Sequence, residues 1–155
     1  GDWLLGVVGA LAAAAADTWA TEWGVLASSQ PLRITDWKQV PVGTSGGITL
    51  LGTFGSLVGA LSIGATASLM ERSPQFIFVA LLSGVLGSAF DSLLGSTLQV
   101  QYQCPSCGKQ TEQHPTHVIC GTETRHFSGI SWLDNDFVNL LANLSGALLA
   151  LLWKL

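Results

Sequence analysis

Charge is what this sequence lacks. Only 10% of its 155 residues are Asp, Glu, Lys or Arg, six of them basic and ten acidic. A soluble globular domain carries about 25%. A chain this poor in charge cannot coat a water-exposed sphere, which argues against a soluble enzyme. Basic residues are the scarcer sign, and a formal net charge of −4 offers no cationic face for phosphates. Nucleic acid is therefore not an expected partner. Low hydrophobicity, the mark of disorder, is absent too, since 48% of the residues are hydrophobic and the mean hydropathy is +0.47. An integral membrane protein is the class that remains. The chain also lacks an initiating Met, a basic leader and a secretory cleavage pattern, and enters an apolar stretch directly after Gly1-Asp2. It reads as a fragment whose earlier helices are missing.

Long uncharged runs are what the sequence has instead. No charged residue occurs from Gln39 to Met70, from Ser73 to Phe90, or from Phe137 to Trp153. A bilayer core of about 30 Å takes about 20 apolar helical residues. The pattern predicts an all-α, polytopic bundle of four membrane helices. They run from about Trp3 to Leu26, Gly47 to Leu69, Pro74 to Gln99 and Asp134 to Trp153. Trp132 and Trp153 flank the last one as interfacial anchors. Residues 1–155 form one membrane domain on this reading, with residues 100–131 as an inserted loop. Four spans put that loop and the Ala27–Gly46 connection on one side, with Arg33, Lys38, Lys109 and Arg125, against Arg72 and Lys154 on the other. The positive-inside rule places both loops in the cytoplasm, and the protein in the cytoplasmic, inner or an equivalent membrane. Gly52, Gly55, Ser56 and Gly59, and likewise Gly84, Gly87, Ser88 and Gly95, form small-residue faces suited to close helix packing.

Three acids stand in or at the end of apolar helices: Asp17, Glu22 and Asp91. A carboxylate near the bilayer centre costs at least ~2.5–3.5 kcal/mol, so one facing lipid without a partner is disfavoured. Each must face a wet cavity, bind a cation or be protonated. Asp17 and Glu22 span an arc of about 140° at 100° per residue. Carboxylates converging on one cavity suit Mg²⁺, a hard cation that arrives with phosphates. Asn135, Asn139 and Asn143 share one face of the last helix, where they form either interhelical hydrogen bonds or a polar wall of that cavity. Gly43-Thr44-Ser45-Gly46-Gly47 opens the second helix, with Arg33 and Lys38 just upstream. Backbone N–H groups and the helix dipole would make this segment a phosphate cradle.

All three cysteines and all three histidines lie in the 100–131 loop. Cys104-Pro105-Ser106-Cys107-Gly108 is a knuckle, and Cys120 with a His completes a tetrahedral set. Cys104, Cys107, His117 and Cys120 are the preferred zinc ligands, with His114 or His126 as substitutes for His117. Four protein ligands leave no open position, so the zinc would be structural. A Cys104–Cys107 disulfide is the rival, disfavoured by the odd cysteine count and the expected compartment.

Five motifs in order carry a family resemblance: Asp17-Thr18-Trp19-Ala20-Thr21-Glu22-Trp23-Gly24, Val40 through Thr49, Asp91 through Gln99, Arg125-His126 with Gly129, and Leu133-Asp134-Asn135 with Asn139. The chain resembles the domain-of-unknown-function 92 family of integral membrane proteins. That family includes phytyl-phosphate kinases and is distantly similar to dolichol kinase and CDP-diacylglycerol synthase. The resemblance implies a CTP-dependent kinase that converts a polyprenyl or phytyl monophosphate to its diphosphate. It implies that Asp17, Glu22 and Asp91 hold Mg²⁺ and nucleotide phosphates, with Gly43, Thr44, Ser45, Gly46 and Gly47 around the phosphates. Lys38, Arg125 and His126 would neutralise the moving phosphoryl group, and Asn135 and Asn139 would position metal or substrate. The phytyl-phosphate kinases read Arg-Gly-Thr-Glu-Gly where this chain reads Val42-Gly43-Thr44-Ser45-Gly46, which is closer to the transmembrane protein 19 branch. The implied partners are the bilayer, an isoprenyl phosphate and a nucleotide, and a homo-oligomer is compatible. The other functional classes are an ion or solute transporter working through its carboxylates, and a non-catalytic scaffold.

Overall fold

The computed structural model describes residues 3–153. Four long helices carry the fold: α1 (Trp3–Gly24), α2 (Leu50–Glu71), α3 (Gln75–Thr97) and α4 (Asn135–Leu152). All four are long and apolar enough to cross a membrane. At 1.5 Å per residue, the 22 residues of α1 reach about 33 Å and the 18 of α4 about 27 Å, bracketing a bilayer core.

Side-chain size, more than polarity, sorts the inside from the outside. The buried stripe of α1 is Gly6, Val8, Gly9, Ala12, Ala13 and Ala16. That of α2 is Gly52, Gly55, Ser56, Gly59, Ala60 and Gly64. Leu50, Phe54, Leu57, Leu61, Leu69, Phe78, Leu82, Leu86 and Leu148 point outward. In water such a surface would aggregate; in lipid it is the correct face, because small residues let backbones touch and tails solvate the large ones. A methyl group on Gly59 would sit 2.6 Å from the Ala15 carbonyl oxygen, and one on Gly9 only 2.3 Å from that of Gly146. α1 lies against all three other helices.

Helix ends follow local chemistry. Thr49 caps α2 by accepting from the Gly52 N–H at 2.9 Å. Asp134 caps α4 by accepting from Phe137 N–H at 3.0 Å. Arg72 closes α2 in the left-handed region at φ 51°, and Pro74 then starts α3. This turn lies at one end of the bundle and both long connections lie at the other. Lys154, counted above on the Arg72 side, lies outside the described residues.

The connections are not plain loops. Seven short strands fold them: β1 (Leu32–Arg33) and β2 (Gly47–Ile48) between α1 and α2, then β3 (Gln101–Gln103), β4 (Gln110–Thr111), β5 (Thr116–His117), β6 (Thr122–Glu123) and β7 (Arg125–Ser128) between α3 and α4. β1 pairs antiparallel with β2, β5 with β6, and β4-β3-β7 form a three-stranded antiparallel sheet. Runs of two to four residues carry too little periodicity to be read as strands from the sequence. The glycine segment is corrected by this. It does not open α2, because β2 and the Thr49 cap intervene and the helix begins at Leu50.

Candidate functional site

A cavity of about 1100 Å³ sits at the loop end of the bundle. The second half of α1 lines it with Asp17, Thr18, Thr21 and Glu22, and α3 with Ser88, Asp91, Ser92 and Gly95. The start of α2 adds Thr53 and Ser56, and that of α4 adds Asn135 and Asn139. Helix rise puts Asp17 about 10 Å and Asp91 about 9 Å below the loop-side ends of α1 and α3. Both carboxylates therefore lie well inside their helices, and Glu22 lies nearer the rim.

Asp17 Oδ1 accepts from Ser88 Oγ at 3.2 Å, a bond that ties α1 to α3 inside the cavity. Asp91 Oδ2 is buried with no hydrogen-bond partner, and so is Gln99 Nε2. Orphan polar atoms of this kind are costly in a folded protein unless a water, ion or ligand meets them. Gln99 is 3% exposed and borders both this cavity and an adjoining one of about 400 Å³. No lysine, arginine or histidine is ion-paired with Asp17 or Asp91 among the described residues. An oxygen-rich pocket whose acids have no paired cation fits a divalent metal of the Mg²⁺ kind.

The mouth is built by the two connections. Gly43, Thr44, Ser45, Gly46 and Gly47 all line it. Gly46, at φ 73°, lies against α3 so tightly that a methyl group would sit 2.4 Å from the Ser92 carbonyl oxygen; only glycine meets both demands. Thr44 N–H donates to Pro41 O at 3.1 Å and Gly47 N–H to Thr44 O at 3.0 Å. Those two groups are spent inside the turn. The N–H groups of Gly43, Ser45 and Gly46 have no protein acceptor among the described residues. The cradle is therefore partial.

The cations at the cavity differ from those expected. Lys38, Arg125 and His126 do not line it. Lys38 is 79% exposed and lies 3.5 Å from Asp36. Arg125 and His126 are exposed on β7, where the His126 ring lies 3.1 Å from Gly129 O and meets Tyr102 edge-on. Arg33 and Lys109 line the cavity instead. Arg33 is tethered to Asp36 at 3.6 Å. Desolvation raises the pKa of Asp36, but the Lys38 amide and the charges of Arg33 and Lys38 together outweigh this and lower it. Glu112 enters with the same segment as Lys109 and accepts from Ser45 Oγ, which in turn accepts from Gln101 Nε2 at 2.7 Å. These contacts join the two connections. Asn143, one helical turn below Asn139, does not line the cavity.

A second cluster lies in the 100–131 segment. The ligand atoms of Cys104, Cys107, His117 and Cys120 all fall within 4.8 Å of one another. Cys107 Sγ is 3.6 Å from His117 Nδ1. The three thiols are free. The substitute histidines are committed elsewhere: His114 stacks on Tyr102 at 4.4 Å between ring centroids, and His126 bonds Gly129. Burial pushes the Cys104 thiol up, but the Cys107 and Ser106 amides, with help from His117, bring it down to about 6. Cys120 is pushed up to about 11 by its bond to Cys107, by burial and by the neighbouring thiols.

The family described as integral membrane protein DUF92 matches residues 1–147. The chain belongs to this family. Protein PGR of Arabidopsis thaliana is 31% identical over 149 residues, covering 88% of this chain and 50% of that protein. An uncharacterized membrane protein of Methanocaldococcus jannaschii is 33% identical over 96 residues, covering 62% of this chain and 40% of its own. The chain thus spans half or less of these curated relatives. No solved structure matches it. As a DUF92 member with four membrane-length helices, it is an integral membrane protein.

Proposed function

We propose that this DUF92 chain is the catalytic core of a CTP-dependent kinase that converts a polyprenyl or phytyl monophosphate to its diphosphate. One observation carries the reading: Asp17 and Asp91, on separate membrane helices, share one cavity with the 43–47 turn and with Arg33 and Lys109. A lipid phosphate can reach such a site from the bilayer, and a nucleotide from the loop side. The five ordered motifs point the same way.

In the reaction, an oxygen of the lipid monophosphate attacks the γ-phosphorus of CTP. The bond from that phosphorus to the bridging oxygen breaks, and CDP leaves. The acceptor is already an anion, so no strong base is needed, and catalysis reduces to alignment and charge stabilisation. Asp17, Glu22 and Asp91 would hold Mg²⁺, for which the unpartnered Asp91 oxygen and the lack of a paired cation are a fit. Bound there, the metal supplies charge neutralisation on the phosphates. Arg33 and Lys109 neutralise the transferred group from the mouth, the role first expected of Lys38, Arg125 and His126. Gly43, Ser45 and Gly46 N–H groups receive phosphate oxygens. Ser88 orients Asp17, and Asn135 and Asn139 orient the acceptor.

Transport through the bundle is the weaker reading. Beyond the cavity, α1 meets α4 at Gly9 and Gly146 with no room for a methyl group, which opposes a through-path. The deciding assay supplies purified intact protein with Mg²⁺, CTP and phytyl or polyprenyl monophosphate. Diphosphate should form, and Asp17→Asn and Asp91→Asn should each cut the rate by about 100-fold or more. Absence of both nucleotide binding and turnover in the unmodified protein would overturn the proposal.

A further inference from the structure

The 100–131 segment has almost nothing apolar to hold it together. Its strands are two to four residues long, and Val118, Ile119 and Phe127 are exposed. Strands this short are not stable by themselves in water. Yet Cys104 is fully buried and His117 is 3% exposed. Two of the four potential ligands are thus sequestered, along with Val100 and Thr124, while Cys107 and Cys120 are exposed; a small metal-stapled module is built around such ligands.

The four ligand atoms lie close to tetrahedral spacing. Bonds of about 2.3 Å to a central zinc imply separations of about 3.8 Å between sulfurs, so atoms within 4.8 Å need only contract slightly. The knuckle around them is formed in detail. Gly108, at φ 69°, donates to Cys104 O at 2.8 Å, and Cys104 N–H donates to Lys109 O at 2.9 Å. The backbone of Lys109 is thus hydrogen-bonded directly to a ligand residue. From there the chain follows the border of the large cavity, which Lys109, Thr111 and Glu112 all line. Glu112 is fastened to Ser45 of the glycine turn.

We propose that Cys104, Cys107, His117 and Cys120 bind one Zn²⁺ ion, and that this metal clip holds Lys109 over the cavity mouth as a positioning device for a phosphate-bearing ligand. The metal site stands on its own geometry; the role given to Lys109 rests on the kinase reading. Zinc is the metal because three thiolates and one imidazole make a closed tetrahedral set. Lys109 is the coupled residue because its carbonyl is fixed by Cys104 and the residue itself borders the cavity.

The test uses purified intact protein and three readouts. Metal analysis should find about one zinc per chain, lost in Cys104→Ser and Cys120→Ser. Iron in its place, or less than about half an equivalent of zinc, overturns the clip. Hydrogen exchange should show residues 104–124 losing protection when a chelator removes zinc, with the helices unchanged; no change there overturns the clip as well. Nucleotide binding with Mg²⁺ should weaken about tenfold in Lys109→Gln, which keeps its zinc. It should weaken to the same extent in Cys120→Ser, and no further in the double variant. Cys120→His, which keeps a zinc ligand, should restore it and so excludes a mere folding defect. Additive losses in the double variant overturn the coupling to Lys109. Unmodified protein that holds zinc but binds no nucleotide overturns the kinase reading and upholds the metal site.

Discussion

The bundle and the 100–131 segment solve the same problem by opposite means. Each must hold a polar site without a conventional apolar core. The bundle does it by removing side chains. Gly9 against Gly146, Gly55 against Trp19 and Gly59 against Ala15 bring helix backbones into contact, and the large residues are left to lipid. The 100–131 segment has no lipid and few buried apolar residues, and gathers three cysteines and a histidine instead. In the bundle, stability is spread over many shallow contacts along whole helices. In the segment it is concentrated at one point. The first should yield gradually to small changes and badly to bulk; the second should be indifferent to bulk at its surface and fail at once when a ligand is removed.

Bulk in the helix contact is the most damaging way to break that contrast. Leucine at position 9 or 146 must push α1 and α4 apart, because even a methyl group on Gly9 would lie 2.3 Å from the opposing carbonyl oxygen. Overpacking in a close-packed core costs about 1–3 kcal/mol and more where backbone must move. Gly9→Leu should therefore lower the unfolding temperature far more than any substitution on the surface of the 100–131 segment. Leucine at Gly108 or Gly121, which face open space at positive φ, should cost only local strain. Thermal unfolding of the detergent-purified variants measures the difference. Similar losses at all these positions would erase the distinction between the two regions.

Metal removal probes the other half. Zinc binds thiolate, and Cys120 keeps its proton up to about 11, so binding must expel that proton. Apparent zinc affinity should accordingly rise with pH between about 6 and 9. Acidification keeps the thiols protonated, and zinc should leave as the pH falls. Titration with a colorimetric chelator at several pH values reads this directly. Circular dichroism at the helix minima should stay unchanged throughout, since α1 to α4 owe nothing to the metal.

The two regions also differ in how far they are legible from the sequence. Uncharged runs of membrane length place four helices, because a bilayer forces apolar length onto the chain. The same constraint makes Asp17 and Asp91 conspicuous, and the structure brings them to one cavity. Cysteine spacing is equally restrictive: the knuckle and a short return leave few ways to close a tetrahedron. What the chain does not reveal is which cations meet the cavity. Arg33 and Lys38 lie on either arm of a tight turn, while Arg125 lies on β7 and Lys109 just before β4 of one small sheet. Strands of two residues slip or turn at little cost, and a one-residue shift reverses every side chain. Register there is set by contacts from afar, such as Gly46 on α3 and Ser45 on Glu112, which no local pattern announces.

The smallest expected effect sharpens that last point. Arg33 and Lys38 both pair with Asp36, but only Arg33 lines the cavity. Exposed ion pairs contribute about 0–1 kcal/mol, so Lys38→Gln should leave stability and nucleotide affinity within about twofold of the unmodified protein. Arg125→Gln and His126→Ala should behave like it, since neither side chain borders the cavity. Arg33→Gln removes a charge that lines the mouth, and charge-assisted bonds to phosphate are about twice as strong as neutral ones. It should weaken nucleotide binding by about five- to tenfold with no loss of zinc. Isothermal titration of all four variants against one nucleotide makes the comparison. If Lys38→Gln or His126→Ala lost as much as Arg33→Gln, the two connections would have to close further over the cavity than they do here, and the division between mouth and outer surface would need to be redrawn.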